Sequence, residues 1–183
     1  MDELEARFKE WEECRKTIDR FDKILADMRR VGFTLIPTIV TAAILLTNRA
    51  NPPQDAIYNV APDTLLTAVF ITTMVLVLVL FLLDQYYWWF LLATAARAEY
   101  IEETTYTLHL TRRLRQVAER FWANAIPLLT YVLFLGGTAI IAFVLGNPNF
   151  PLLALVAVIF SAAMFLLHII GTKIATDIGK AAI

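Results

Sequence analysis

Long uncharged stretches alternate with charged ones along this chain, and the uncharged stretches set its architecture. A bilayer core of about 30 Å needs about 20 predominantly apolar residues in an α-helix. We predict spans at residues 31–48, 64–84, 122–145 and 152–170. The connections 49–63 and 146–151 each contain an Asn-Pro pair, which is typical of turns. The pattern therefore predicts an all-α integral membrane protein with four transmembrane helices in two hairpins.

The positions of the basic residues predict the orientation of these spans. With the N-terminus inside, Arg49 is the one residue among the 16 Lys and Arg that falls outside. Loops on the cytoplasmic side are enriched in Lys and Arg, so we expect both termini in the cytoplasm. Residues 1–30 lack the apolar core of a cleaved signal peptide. A bacterial or archaeal plasma membrane is the expected location.

The N-terminal segment, residues 1–30, carries a seven-residue repeat that predicts a helix of the coiled-coil type. One face collects apolar side chains, which we call the heptad seam: Leu4, Trp11, Ile18 and Leu25 at one position, with Phe21 and Met28 at the other. On the outer face, acidic residues precede basic ones by four positions, the favourable order on a helix. The heptad seam is expected either to pack on the same subunit or to contribute to contacts between subunits.

Two further segments complete a predicted cytoplasmic helical layer. Residues 85–121 begin with the aromatic cluster Tyr86–Trp89, of the kind found at headgroup depth. The helix is expected to continue to Glu103 and to bend at Thr104, Thr105 and Thr107, because threonine is a poor helix former. An amphipathic piece then returns to the membrane, and residues 171–183 form a cytoplasmic tail.

Composition narrows the functional classes. Charged residues make up 18% of the chain, against about 25% in soluble domains. The net charge of -1 offers no basic excess for a nucleic-acid partner. One cysteine and two histidines do not suffice for a usual zinc site, and the common motifs of enzymes are missing. We therefore predict no catalytic residue, metal or cofactor. The expected partners are membrane lipid and further copies of the chain, with a cytoplasmic protein as a further candidate.

The first span carries a polar line that we call the threonine stripe: Thr34, Thr38 and Thr41, with Pro37 beside them and Asn48 beyond. In an oligomer such a line can border a water-filled path. The alternative is that the hydroxyls bond to their own helix and serve packing. Arg29 and Arg30 would either ring the inner mouth of a pore or anchor the helix at the cytoplasmic surface.

Two ionisable residues lie at similar depth near the cytoplasmic ends of their spans, Asp84 on the second and His168 on the fourth. Ionisable groups within a membrane are functional candidates. If these two meet, the carboxylate would favour the protonated imidazole and form a pH-sensitive latch. The alternative is that both lie in headgroup water.

These features support two functional hypotheses. The first is a homo-oligomeric channel or pore-forming protein, with the first span nearest the axis and the cytoplasmic helices as assembly platform and gate. The alternative is a non-conducting scaffold or sensor that signals to a cytoplasmic partner. A long cytoplasmic helix leading into a membrane hairpin is similar in layout to the SLATT-type membrane effectors of bacterial defence systems, which are proposed to perforate the inner membrane. The likeness covers about the first half of the chain and transfers no residue.

Overall fold

The computed structural model describes residues 3–49, 62–105, 111 and 121–181. Over these ranges the chain forms four long helices and no strand: α1 (Glu3–Arg49), α2 (Pro62–Thr105), α3 (Phe121–Val144) and α4 (Phe150–Ala181). Each helix is long and apolar enough to cross a membrane. The all-α class with four candidate spans, predicted from the uncharged stretches, is confirmed.

Helices α1 and α2 are far longer than a bilayer is thick. Their 47 and 44 residues correspond to about 70 and 66 Å at about 1.5 Å per residue, against a hydrocarbon core of about 30 Å. Helix α1 passes from its charged half into its apolar half without a break and includes Pro37. The charged half of α1 therefore continues the apolar half as one rod.

Helix α2 is the centre of the bundle, because it packs against each of the other three helices. It runs antiparallel to α1, and its partners on α1 fall in residue number as its own rise. The Leu80 side chain packs closely on α1 at Gly32, where a β-carbon would lie 2.9 Å from Leu80 Cδ1. A second close approach joins α2 to α4, because the Trp89 indole lies against Gly171 and would overlap any side chain there. Small residues at such crossings permit close backbone packing.

A tight turn joins α3 to α4. Gly146 adopts a φ of 68°, and the amides of Gly146 and Asn147 donate to the carbonyls of Phe143 and Ala142 at 2.9 and 3.0 Å. This is the Schellman arrangement, which satisfies carbonyls at a helix end and favours glycine at the left-handed position. The buried Asn147 amide also donates to Thr67 Oγ1 at 3.1 Å, so side-chain bonding ties the turn to the start of α2.

The interior of the bundle is mostly apolar and contains large buried side chains. Its largest fully buried side chains include Phe70, Phe81, Met74, Leu135 and Met164. Outward-facing apolar residues are also abundant, with Leu133 at 73% and Val144 at 75% exposure. An apolar exterior of this extent suits a lipid environment, where helix packing relies on close fit rather than on exclusion of water.

One predicted boundary differs from the structure. Helix α4 begins at Phe150, inside the predicted turn 146–151, because the Schellman turn completes the reversal early and Pro151 is tolerated in a first helical turn. The same helix continues to Ala181, so the predicted span 152–170 and most of the predicted tail 171–183 lie on one helix. Most of the predicted return segment, residues 106–110 and 112–120 with the bend at Thr107, lies outside the described residues.

Candidate functional site

An ion pair joins α1 to α2 where their charged and apolar halves meet. Arg29 Nε donates to Asp84 Oδ1 at 2.8 Å, and its terminal nitrogen donates to Oδ2 at 3.1 Å. The side chain of Asp84 is 1% exposed and that of Arg29 is 32% exposed. A two-point contact of this kind fixes both the distance and the orientation of the helices. Arg29 therefore faces its own subunit's α2, which makes it a poor candidate for the inner mouth of a pore.

The predicted latch residues have other partners. Asp84 bonds to Arg29, whereas His168 Nδ1 lies 3.1 Å from Gln85 Oε1. Because Asp84 and Gln85 are neighbours on α2, the two contacts form one polar layer that crosses the bundle from α1 to α4. In this arrangement a glutamine oxygen replaces the carboxylate as the partner of the imidazole. The latch is therefore not formed in the predicted way.

The threonine stripe lies on the exposed side of α1. Thr34 Oγ1 donates to the carbonyl of Arg30 at 2.9 Å, and Thr38 Oγ1 donates to that of Thr34 at 2.7 Å. Thr41 and Pro37 are exposed as well, while the side chain of Asn48 lies outside the described residues. The hydroxyls of Thr34 and Thr38 thus bond to their own helix, and their oxygens remain on an outward face.

An open cleft of about 230 Å³ lies between helix α3 and the apolar half of α1, and we call it the α1–α3 cleft. Its walls include Pro37, Val40 and Thr41 on α1 and Phe134, Gly137 and Thr138 on α3. At one end Phe33 packs on Phe134, with ring centroids 5.4 Å apart. The cleft therefore lies beside this aromatic contact, since Phe134 belongs to both.

The heptad seam packs against α2 of the same chain over most of its length. Leu25 is buried, and Phe21 lies between Tyr87 and Phe90 with centroids 5.9 and 5.8 Å away. Ile18 and Met28 are half-buried, whereas Leu4 at the N-terminal end is exposed. The contact along α2 is the first of the two alternatives for the seam, and participation in subunit contacts stays a prediction.

Charged side chains flank this contact. Arg97 donates to Glu10 Oε1 at 2.8 Å across the two helices. Cys14 is half-buried nearby, and burial raises the pKa of its thiol; the Glu10 carboxylate adds to this rise and the Arg97 guanidinium opposes it. The only cysteine of the chain thus lies at the interface between α1 and α2.

A buried glutamate near the end of α2 was not singled out from the sequence. Glu102 accepts bonds from Trp11 Nε1 at 3.0 Å and from the Thr111 backbone amide at 2.9 Å, and also from the Thr111 hydroxyl. Its carboxylate thus links α1, α2 and the segment that follows α2. The available signal was its spacing, since Ala95, Ala98 and Glu102 share one face of α2.

No cluster of metal-ligating side chains occurs in the part of the chain that the structure describes. That part contains no group of three or more His, Cys, Asp or Glu residues placed to hold a metal ion. The polar layer formed by Arg29, Asp84, Gln85 and His168 offers hydrogen bonding and charge. Its contacts join α1 to α2 and α2 to α4.

Comparison with protein-family models, with curated proteins and with solved structures found no significant match.

Proposed function

We propose that the protein is a homo-oligomeric membrane pore in which α1 lies nearest the axis. The spans form two hairpins with both termini in the cytoplasm, and the charged halves of α1 and α2 form a cytoplasmic stalk. The distribution of basic residues supports this orientation. The expected setting is a bacterial or archaeal plasma membrane.

The observation that carries the proposal is the outward threonine stripe. Thr34, Thr38 and Thr41 are exposed on a helix whose apolar half otherwise suits lipid. Pro37 also lacks an amide hydrogen, so the Phe33 carbonyl has no helical donor from that position. The stripe therefore presents hydroxyl oxygens on the exposed side of α1, and polar oxygens line many aqueous paths through membranes.

A path through the middle of one subunit is not favoured, because the described core is filled. Phe70, Phe81 and Met74 occupy the space between the helices and are fully buried. Water and ions would therefore pass between subunits, where several copies of the threonine stripe can face one another. Small multipass proteins commonly form such sites on a symmetry axis.

Ion flux from liposomes tests this proposal. Thr38→Phe should reduce flux at least tenfold while the oligomer persists in size-exclusion chromatography. Thr72→Phe is the matched control, because Thr72 is also exposed and also bonds to its own helix, through the Ala68 carbonyl at 2.8 Å. The antiparallel register places Thr72 on α2 at nearly the depth of Thr38. Absence of flux from a folded oligomer, or equal loss in both variants, would count against the pore.

The second candidate is a non-conducting scaffold or sensor, and the length of the stalk favours it. The outer surface of α1 is charged, with Lys16 bonded to Glu12 and Glu13 at 3.0 and 3.4 Å. That surface is a better candidate for a partner than Trp11 and Phe21, which pack on α2. As a scaffold, a Lys16→Glu variant should lose a defined cytoplasmic partner in pull-down from native membranes. Retention of that partner would contradict this role.

A further inference from the structure

The α1–α3 cleft is an apolar recess on the outside of the bundle. Most of its wall is aliphatic or aromatic, and Thr41 and Thr138 supply the hydroxyls. The Thr138 hydroxyl donates to the Phe134 carbonyl at 2.7 Å. A β-carbon added at Gly137 would meet nothing within 4 Å, so the recess continues up to the α3 backbone. Such a surface suits hydrocarbon and offers little to a polar ligand.

A cation lies on the same side of α1, toward the cytoplasmic end. Arg30, Pro37 and Thr41 follow one another at seven and four residues, which places them on one face of the helix. The Arg30 side chain is 81% exposed, and Asp27, itself exposed, approaches it to 3.9 Å. The neighbouring Arg29 is already hydrogen-bonded to Asp84. Arg30 is thus a guanidinium that an anion can reach at the entrance to an apolar cleft.

The distances along α1 match one leaflet of a bilayer. With about 1.5 Å of rise per residue, Pro37 lies about 10 Å and Ile44 about 21 Å deeper than Arg30. A leaflet's hydrocarbon layer is about 15 Å thick, half of the core. A molecule with a negative group at Arg30 and a chain in the cleft therefore has the dimensions of a membrane lipid.

We infer that the α1–α3 cleft holds one acyl chain of an anionic phospholipid whose phosphate is bound by Arg30. Charge complementarity selects the anionic headgroup, and the apolar walls accept the chain. Phe33 closes the cytoplasmic end of the cleft against Phe134, so the headgroup stays outside. Within the threonine stripe, Thr41 borders the cleft, whereas Thr34 and Thr38 lie further round the helix and do not line it. The lipid site does not depend on whether the protein conducts ions.

Native mass spectrometry of the full-length protein in detergent tests the site. Phosphatidylglycerol and phosphatidylcholine with identical acyl chains are titrated separately. Phosphatidylglycerol should bind about fivefold more tightly, the effect of one arginine near an anionic headgroup. Arg30→Gln should reduce its affinity to that of phosphatidylcholine, and Arg30→Lys should retain most of the preference. The control Lys173→Gln removes an exposed charge from α4 and should change neither affinity.

Two adjacent glycines of α3 differ in their position relative to the cleft. Gly137 lines it, whereas Gly136 does not. Gly137→Leu should reduce binding of both lipids by filling the recess, whereas Gly136→Leu also enters open space and should not. Because an added β-carbon meets no heavy atom within 4 Å at either position, both variants are expected to fold. Equal affinity of the wild-type protein for the two lipids would overturn the inference. So would loss of oligomer with unchanged lipid binding in Gly137→Leu, since a second copy would then occupy the cleft.

Discussion

The ion pair between Arg29 and Asp84 predicts an asymmetric response to substitution. Asp84 is almost fully buried, whereas a third of the Arg29 side chain is exposed. Arg29→Met leaves a buried carboxylate without its partner. Asp84→Val leaves a guanidinium that can turn toward headgroups and water on its long stem. Loss of the arginine should therefore cost more stability than loss of the aspartate.

The magnitudes follow from the burial of each group. Breaking a buried pair costs about 3–5 kcal/mol, and the 1% exposure of Asp84 places Arg29→Met in the upper part of that range. For Asp84→Val we expect a loss of stability of about 2–3 kcal/mol, because the Arg29 guanidinium can turn toward water. The double variant should lie within about 1 kcal/mol of wild type, because it buries no charge. Arg30→Met, next in the chain but exposed, should cost less than about 1 kcal/mol.

The free energy of unfolding can be measured by SDS titration in mixed micelles, followed by helical circular dichroism. The four proteins of the cycle and the Arg30→Met control are compared under one set of conditions. The reasoning would be refuted by equal losses in the two single variants. It would also be refuted by a double variant whose loss is the sum of the single ones.

Three further predictions concern packing, the outer turn and the cysteine. Gly171→Ala should destabilise the protein by about 1–3 kcal/mol in the same titration, because its methyl group would overlap the Trp89 indole. Gly136→Ala, which meets open space, should be neutral or slightly stabilising, and equal loss in both would contradict the contact. Asn147→Ala should cost about 1–2 kcal/mol and speed hydrogen exchange in the turn, because its amide is 5% exposed and bonded; unchanged exchange would argue against this role. Since burial raises the pKa of Cys14, its alkylation by iodoacetamide should need a higher pH than that of free cysteine, and coincident pH profiles would show an open interface.

Much of the fold could be predicted because it depends on local composition. Uncharged stretches of sufficient length indicate spans whatever they contact, and the seven-residue repeat indicates which face of α1 is buried. Helix ends were less predictable. The turn between α3 and α4 depends on the left-handed Gly146 and on hydrogen bonds to Thr67, and a residue pattern does not contain such long-range contacts.

The polar layer shows why site residues are harder to predict than spans. Asp84 and His168 were chosen by depth, but partners are set by the register between helices. Arg29 and Asp84 lie at nearly equal distances along the chain from the middle of the predicted outer loop 49–63. An antiparallel hairpin brings such positions together, so this symmetry was the available signal. Gln85, which binds His168, gave no signal because an amide is common near a membrane surface.

The proposed pore depends on an aqueous path that the threonine stripe borders in an oligomer. Single-channel recording in planar bilayers tests it most directly, using a Cys14→Ser background that carries Thr38→Cys. The account predicts discrete currents that a charged, membrane-impermeant thiol reagent blocks. Currents of the matched Thr72→Cys protein should persist under the same reagent. Silent bilayers from a folded oligomer, or currents in Thr38→Cys that the reagent leaves unchanged, would contradict the account.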